Sequence, residues 1–159
     1  MTIRLTTVPA LACLALMSAG CSIPASWRGE QTKRDIYLNL MTPDQAAEFK
    51  GMEADWQDDE QLVLYCQEVG VYQKWHGTLP ERQGLIRRKR VAAGFLPDEV
   101  RMAWGPPEKV EDISSDADRQ ESRARSRWLY GGKADRAGAV HYGREAVFLN
   151  ERLESFKAK

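Results

Sequence analysis

The segment Gly94-Phe95-Leu96-Pro97-Asp98-Glu99-Val100-Arg101-Met102-Ala103-Trp104-Gly105-Pro106-Pro107 divides the chain into two halves of different character. It reads as one short helix with punctuation at both ends. Pro97 suits the first helical position, where a missing N–H and a fixed φ cost little. Glu99 falls in the first turn, at the positive end of the dipole. Phe95 and Val100 have the spacing of a hydrophobic staple around Leu96 in the cap position. Val100, Ala103 and Trp104 stand at i, i+3 and i+4 and are expected to share one buried face. Gly105 ends the helix and Pro106-Pro107 forbid its continuation.

Upstream of this unit the pattern is helical. Thr42-Pro43-Asp44-Gln45 combines a cap, a proline in the first position and a capping-box glutamine. Met41 and Ala46 form the matching staple, and Phe49 and Met52 extend the apolar face toward an expected stop near Gly51. Asp58-Asp59-Glu60-Gln61 opens a second helix, with Leu62, Cys66, Val69 and Tyr72 on one face and His76-Gly77 at its end. Gly70 inside it costs up to about 1 kcal/mol relative to alanine. Thr78 and Glu81 start a third helix running through Leu85, Ile86 and Ala92 to Gly94. It carries Arg87-Arg88-Lys89-Arg90, either a grip for phosphate-bearing lipid or an acidic partner, or a solvated face.

Downstream the period changes from helix to strand. Lys109 to Ile113 alternates as a first strand, and Ser114 to Ser126 is polar and reads as a loop. Trp128 and Tyr130 share one face of a second strand that Gly131-Gly132 is expected to end. Ala139 to Tyr142 reads as a short strand or loop edge, and Ala146 to Leu149 is the clearest strand. A turn at Asn150-Glu151-Arg152 leads into Leu153 to Phe156 as a final strand, or a helix. The expected fold class is α+β: helices, then one short helix and an antiparallel sheet of three strands, or four.

The N-terminus has the form of a secretory signal. Arg4 precedes an apolar run from Leu11 to Met17, followed by Ser18-Ala19-Gly20 and Cys21. That run is too short for a bilayer, which needs about 20 apolar residues. Small residues before a cysteine resemble the lipobox of bacterial lipoproteins, with Ser18 where an aliphatic residue is usual. The resemblance implies that Cys21 is lipidated after cleavage, and Ser22 after it implies the outer membrane. Cys13 then leaves with the signal, Cys66 stands alone, and no internal disulfide framework exists. Residues 21–36, polar with Pro24 and Gly29, read as a flexible tether, residues 37–93 as a helical region, and residues 94–159 as an α+β module.

Chemistry-bearing motifs are sparse. Lys plus Arg and Asp plus Glu both number 23, so net charge is zero and argues neither for nucleic acid nor for an acidic substrate; no nucleic-acid partner is expected. His76 and His141 belong to no metal-ligand spacing, and no nucleophile elbow or phosphate-cradling loop occurs. Asp116-x-Asp118 has part of a calcium-loop pattern, but Glu121 stands where the tight turn needs glycine. Asp44 and Glu48 share a helix face as an ordinary solvated pair. No catalytic residue, metal or cofactor is expected, and the chain is not expected to be an enzyme.

Gly94 to Pro107, then Trp128-x-Tyr130, then Ala146-Val147-Phe148 resemble the SmpA/OmlA (BamE-like) outer-membrane lipoproteins. The resemblance covers residues 94–159 and suits the lipoprotein start; Leu96 stands where that family usually has Ser or Thr, and Trp104 where it has a smaller aliphatic. It implies a helix pair against a three-stranded antiparallel sheet. It also implies a non-catalytic role in outer-membrane protein assembly or envelope integrity. Leu40 to Phe49 and the later Gly-Pro-Pro are loosely similar to GWxTD-domain proteins, whose naming signature is absent. The expected function is therefore a lipid-anchored structural or adaptor protein facing the periplasm. It would meet the membrane through Cys21 and an envelope protein through Trp104, Trp128 and Tyr130, residues otherwise read as core. The rival is a binding module for lipid or an envelope polymer, using an apolar cleft lined by residues such as Phe49, Trp75 or Trp128.

Overall fold

A computed structural model describes residues 29–55 and 59–158. The signal, Cys21 and Asp58, the first residue of the stretch expected to open the second helix, lie outside the described residues. Among the described residues, seven helices and four strands follow one another: α1 (Lys33–Leu40), α2 (Pro43–Asp55), α3 (Asp59–Glu68), α4 (Val71–His76), α5 (Pro80–Arg87), α6 (Pro97–Trp104), β1 (Lys109–Asp112), α7 (Asp116–Gln120), β2 (Arg125–Ala134), β3 (Val140–Leu149) and β4 (Arg152–Ala158). The class is α+β, with helices leading into a four-stranded antiparallel sheet of order β1-β2-β3-β4.

The tether does not extend to residue 36. The Gln31 side chain is buried, and its amide donates to the carbonyls of Ile86 (2.8 Å), Met102 (3.2 Å) and Ala103 (3.1 Å). These carbonyls lie in the last turns of α5 and α6, where no intrahelical partner remains, so one buried amide closes two helices. Asn39 adds a bond to the Gln31 side-chain oxygen (2.9 Å) and another to Met102 O (3.0 Å). α1 begins two residues later through a capping box, with Thr32 Oγ1 accepting from Asp35 N–H (3.2 Å) and Asp35 accepting from Thr32 N–H (2.9 Å). Ile36, Tyr37 and Leu40 are its buried face.

The Thr42/Gln45 box forms as expected, with bonds of 3.0 and 3.3 Å. α2 runs past Gly51 to Asp55. The second expected helix is two: Gly70 adopts φ +79° between α3 and α4, a conformation that glycine takes without strain. The Thr78/Glu81 start is displaced by one residue, because Pro80 takes the first position of α5 and Leu79 the cap. Thr78 instead donates its hydroxyl to Lys74 O (2.8 Å) and closes α4. α5 ends at Arg87, well before Gly94, with Lys89 at φ +56°.

α6 keeps its expected bounds. Glu99 accepts from Leu96 N–H (2.7 Å) and pairs with Arg82 (2.6 Å), while Gly105 takes φ +87° at the C-terminal end. Val100, Met102 and Ala103 are fully buried; Trp104 is only half-buried.

β2 does not stop at Gly131-Gly132. The ladder passes from Tyr130↔Arg144 to Gly132↔Tyr142 and on to Ala134↔Val140. A Cβ at Gly132 would lie 2.9 Å from Glu108 Oε2 and 3.0 Å from Tyr142, so a larger residue would have to displace these side chains where they cross. The short strand or edge at 139–142 and the strand at 146–149 are one strand, β3. The loop at 114–126 contains α7, capped by Ser115 and Asp118. Asn150 and Glu151, at φ +48° and +59°, make the two-residue turn into β4. Leu153 exchanges backbone bonds of 2.8 Å with Gly94 and Phe95, tying the start of β4 to the entry of α6. The core joins Ile36, Trp75, Ile86, Phe95, Val100 and Met102 of the helical half to Ala146, Phe148 and Leu153 of the sheet.

Candidate functional site

The sheet register assigns each side chain to a face. Val110, Trp128, Ala146 and Phe156 stand in one row across the four strands, on the side packed against α6. The next rows on that side are Tyr130 and Arg144, then Gly132 and Tyr142, then Ala134 and Val140. α6 covers only part of this face. Ala146 and Phe148 are sealed, but Val110 is 57% exposed, Val140 53% and Phe156 43%. Trp104, at the end of α6, stands edge-on to Tyr130 (centroids 5.4 Å apart) and to Phe156 (6.3 Å). The Arg144 guanidinium lies 5.4 Å from the Trp104 ring centre and 5.9 Å from that of Tyr130.

The three aromatic residues singled out from sequence therefore meet on one face but differ in role. Tyr130 is 2% exposed and belongs to the core. Its hydroxyl has no hydrogen-bond partner among the described residues, and burial raises its pKa. It supports the surface and does not present itself to a partner. Trp128 is half-buried against Phe148 (4.7 Å). Trp104 is half-buried, with Nε1–H donating to Lys89 O (3.0 Å). Val110, Phe156 and Arg144 complete the patch. Sequence pattern does not mark them, because Phe156 and Val110 lie in edge strands, where alternation gives the face and not its cover.

The opposite face of the sheet is chemically different. Lys109 pairs with Glu111 (2.8 Å), Glu111 with Arg127 (2.6 Å) and Arg127 with Glu145 (4.0 Å). Hydrogen bonds from Lys109 and Arg127 lower the Glu111 pKa, and the bond to Glu111 raises that of Lys109. Such a ladder keeps its own charges satisfied and favours water over an apolar partner.

A second concavity lies in the helical half, between α1, α2, α3 and α4. It is an open groove of about 540 Å³ walled by Tyr37, Phe49, Leu62, Val63, Cys66 and Tyr72, with Lys33, Arg34, Glu53 and His76 at its rim. Of the cleft residues named from sequence, it contains Phe49 but neither Trp75 nor Trp128. Burial pushes the Cys66 thiol up to about 11.

The remaining sequence candidates do not converge. His76 stacks on Tyr72 (4.0 Å) and His141 pairs with Asp135 (2.9 Å). Asp118 caps α7, and Glu48 accepts from the Tyr65 hydroxyl (2.8 Å). The basic run is dispersed: Arg87 lies over Trp75, Arg88 faces Glu30 and Lys89 has left the helix. Among the described residues no three His, Cys, Asp or Glu side chains are placed to hold a metal ion, and no helix is long and apolar enough to cross a membrane. No family model matches the chain, and neither a curated protein nor a solved structure is significantly similar to it.

Proposed function

We propose that this protein is a lipid-anchored adaptor of the bacterial envelope, of the SmpA/OmlA (BamE-like) kind. The acyl chains on Cys21 hold it to the outer membrane, and the residues after the signal face the periplasm. There it supports outer-membrane protein assembly or envelope integrity by holding a protein partner, without catalysis.

The observation that carries this reading is the half-covered aromatic face of the sheet. Apolar side chains left open beside a cation, on a face whose reverse is a satisfied charge ladder, form a one-sided docking surface. Half-buried tryptophans with an adjacent arginine are the residue types that concentrate binding energy at protein interfaces. The order of short helix, Gly-x-Pro stop and Trp-x-Tyr strand supports the family reading. The small residues before Cys21 support the anchor.

Fractionation tests the anchor. Cys21→Ala is expected to move the protein from the membrane to the soluble fraction, because a signal-processed chain without its acyl groups has no apolar segment long enough to insert. A Cys21→Ala chain that stays in the membrane overturns the lipoprotein reading.

A further inference from the structure

The groove between α1 and α4 has the composition of a ligand site, and neither the fold nor the adaptor reading uses it. Its volume of about 540 Å³ falls within the roughly 300–1,000 Å³ of small-molecule sites. Phe49 and Tyr37, at 3% and 7% exposure, form its floor, and Cys66 closes its wall. Leu62 and Tyr72 are half-buried, and Val63, 38% exposed, forms the lip.

Its polar groups are unevenly used. Arg34 is held by Glu53 (2.6 Å), so that pair carries no free charge. Lys33 has no carboxylate partner among the described residues, and its ammonium stands at the rim as an available cation. Tyr37, more than nine-tenths buried, lines the groove with a hydroxyl that has no hydrogen-bond partner among the described residues. Lys33 and Tyr37 are i and i+4 on α1 and so lie on the same side of that helix. One cation without an acidic partner and one hydroxyl without a protein partner thus line the same apolar groove.

We propose that this groove binds the single apolar tail of an anionic amphiphile, with Lys33 and Tyr37 holding the head and Phe49, Leu62, Val63 and Cys66 enclosing the tail. An acyl chain suits an open groove whose walls are largely apolar. The charge at the rim selects an anionic head, to which the Tyr37 hydroxyl can donate a hydrogen bond. The site lies in the helical half, away from the half-covered face of the sheet, and stands or falls independently of the adaptor reading.

Calorimetric titration of the full chain carrying Cys21→Ala, which has no acyl group of its own to compete, decides the matter. The ligands are laurate and dodecyltrimethylammonium, which have tails of similar length and opposite head charges, both below their micellar concentrations. Laurate is expected to bind at one site and the cationic amphiphile far more weakly. Lys33→Glu is expected to weaken laurate about tenfold or more, the loss of a charge-assisted contact. Lys133→Glu, a charge change on an exposed residue of β2, is expected to leave it unchanged. Val63→Trp is expected to reduce binding by filling the lip. Absence of laurate binding, equal binding of both amphiphiles, or Lys33→Glu binding laurate as well as the parent chain overturns the proposal.

Discussion

Trp104 occupies the boundary between core and surface, and its substitution measures both. One edge packs on Tyr130, another meets Phe156, and Nε1–H closes the backbone at Lys89. Removing a fully buried tryptophan costs about 3–5 kcal/mol; for this half-buried ring we predict about 2 kcal/mol for Trp104→Ala in urea unfolding. Trp104→Phe is predicted to cost about 1 kcal/mol, mainly the lost hydrogen bond. Spacing places Trp104 correctly beside Val100 and Ala103, but it does not give the depth of burial. Residue i+4 on the last turn reaches past the end of the helix it belongs to, and what covers it comes from β2, β3 and β4. Four buried acidic protons give a second residue-scale prediction. Burial raises Cys66 from 9.0 to about 11 and Tyr37 and Tyr65 from 10.0 to about 12, and it raises Tyr130 as well. The folded state therefore holds these protons more tightly than the unfolded state does. Their contribution to stability is complete below about pH 9 and is lost as pH rises toward 12. Urea midpoints measured from pH 8 to 11 are expected to fall steadily; a flat profile contradicts the burial of these groups.

At the scale of elements, two glycines separate backbone from packing. Gly51 lies inside α2 at an exposed position, and a Cβ there would meet no atom within 4 Å, so Gly51→Ala is predicted to stabilise by about 0.5–1 kcal/mol. Gly70, at φ +79°, joins α3 to α4, and Gly70→Ala is predicted to destabilise by about 1 kcal/mol or more although no neighbour is close. Thermal unfolding of the two variants should show shifts of opposite sign. These glycines also explain what is legible in the sequence. The Thr42/Gln45 box is readable because its proline and glutamine reinforce one another. Thr32 and Asp35 form the same kind of box, but the polar residues before it match a tether more readily than a helix start. Gly70 reads as a tolerated interior residue because composition does not state φ. Gly131-Gly132 reads as a strand end, yet Gly132 is there to let Glu108 and Tyr142 cross the ladder, a tertiary requirement absent from local pattern.

At the scale of the molecule, the division at Gly94 organises the fold. Helical periodicity upstream and alternation downstream suffice for the α+β class and the antiparallel order, since short connections favour neighbouring strands. The fourth strand is legible from its turn and alternation. The aromatic patch is half legible, because Trp128 and Tyr130 announce a face, whereas Phe156, Val110 and Arg144 acquire meaning only through the register. The groove is not legible beyond Phe49, because its walls come from four helices whose mutual packing no local signal states. Docking of a protein partner on the half-covered face of the sheet can be tested at two adjacent positions. Phe156 and Ser155 are neighbours on β4 that point to opposite faces, so a probe at either site samples the same strand from opposite sides. A photo-crosslinking side chain is placed at position 156 or 155 of the full chain in intact cells, and the adducts are resolved by mass spectrometry. One discrete envelope-protein adduct is expected from position 156 and none from 155. Equal adducts from both positions, adducts from 155 alone, or none from either contradict docking on this face.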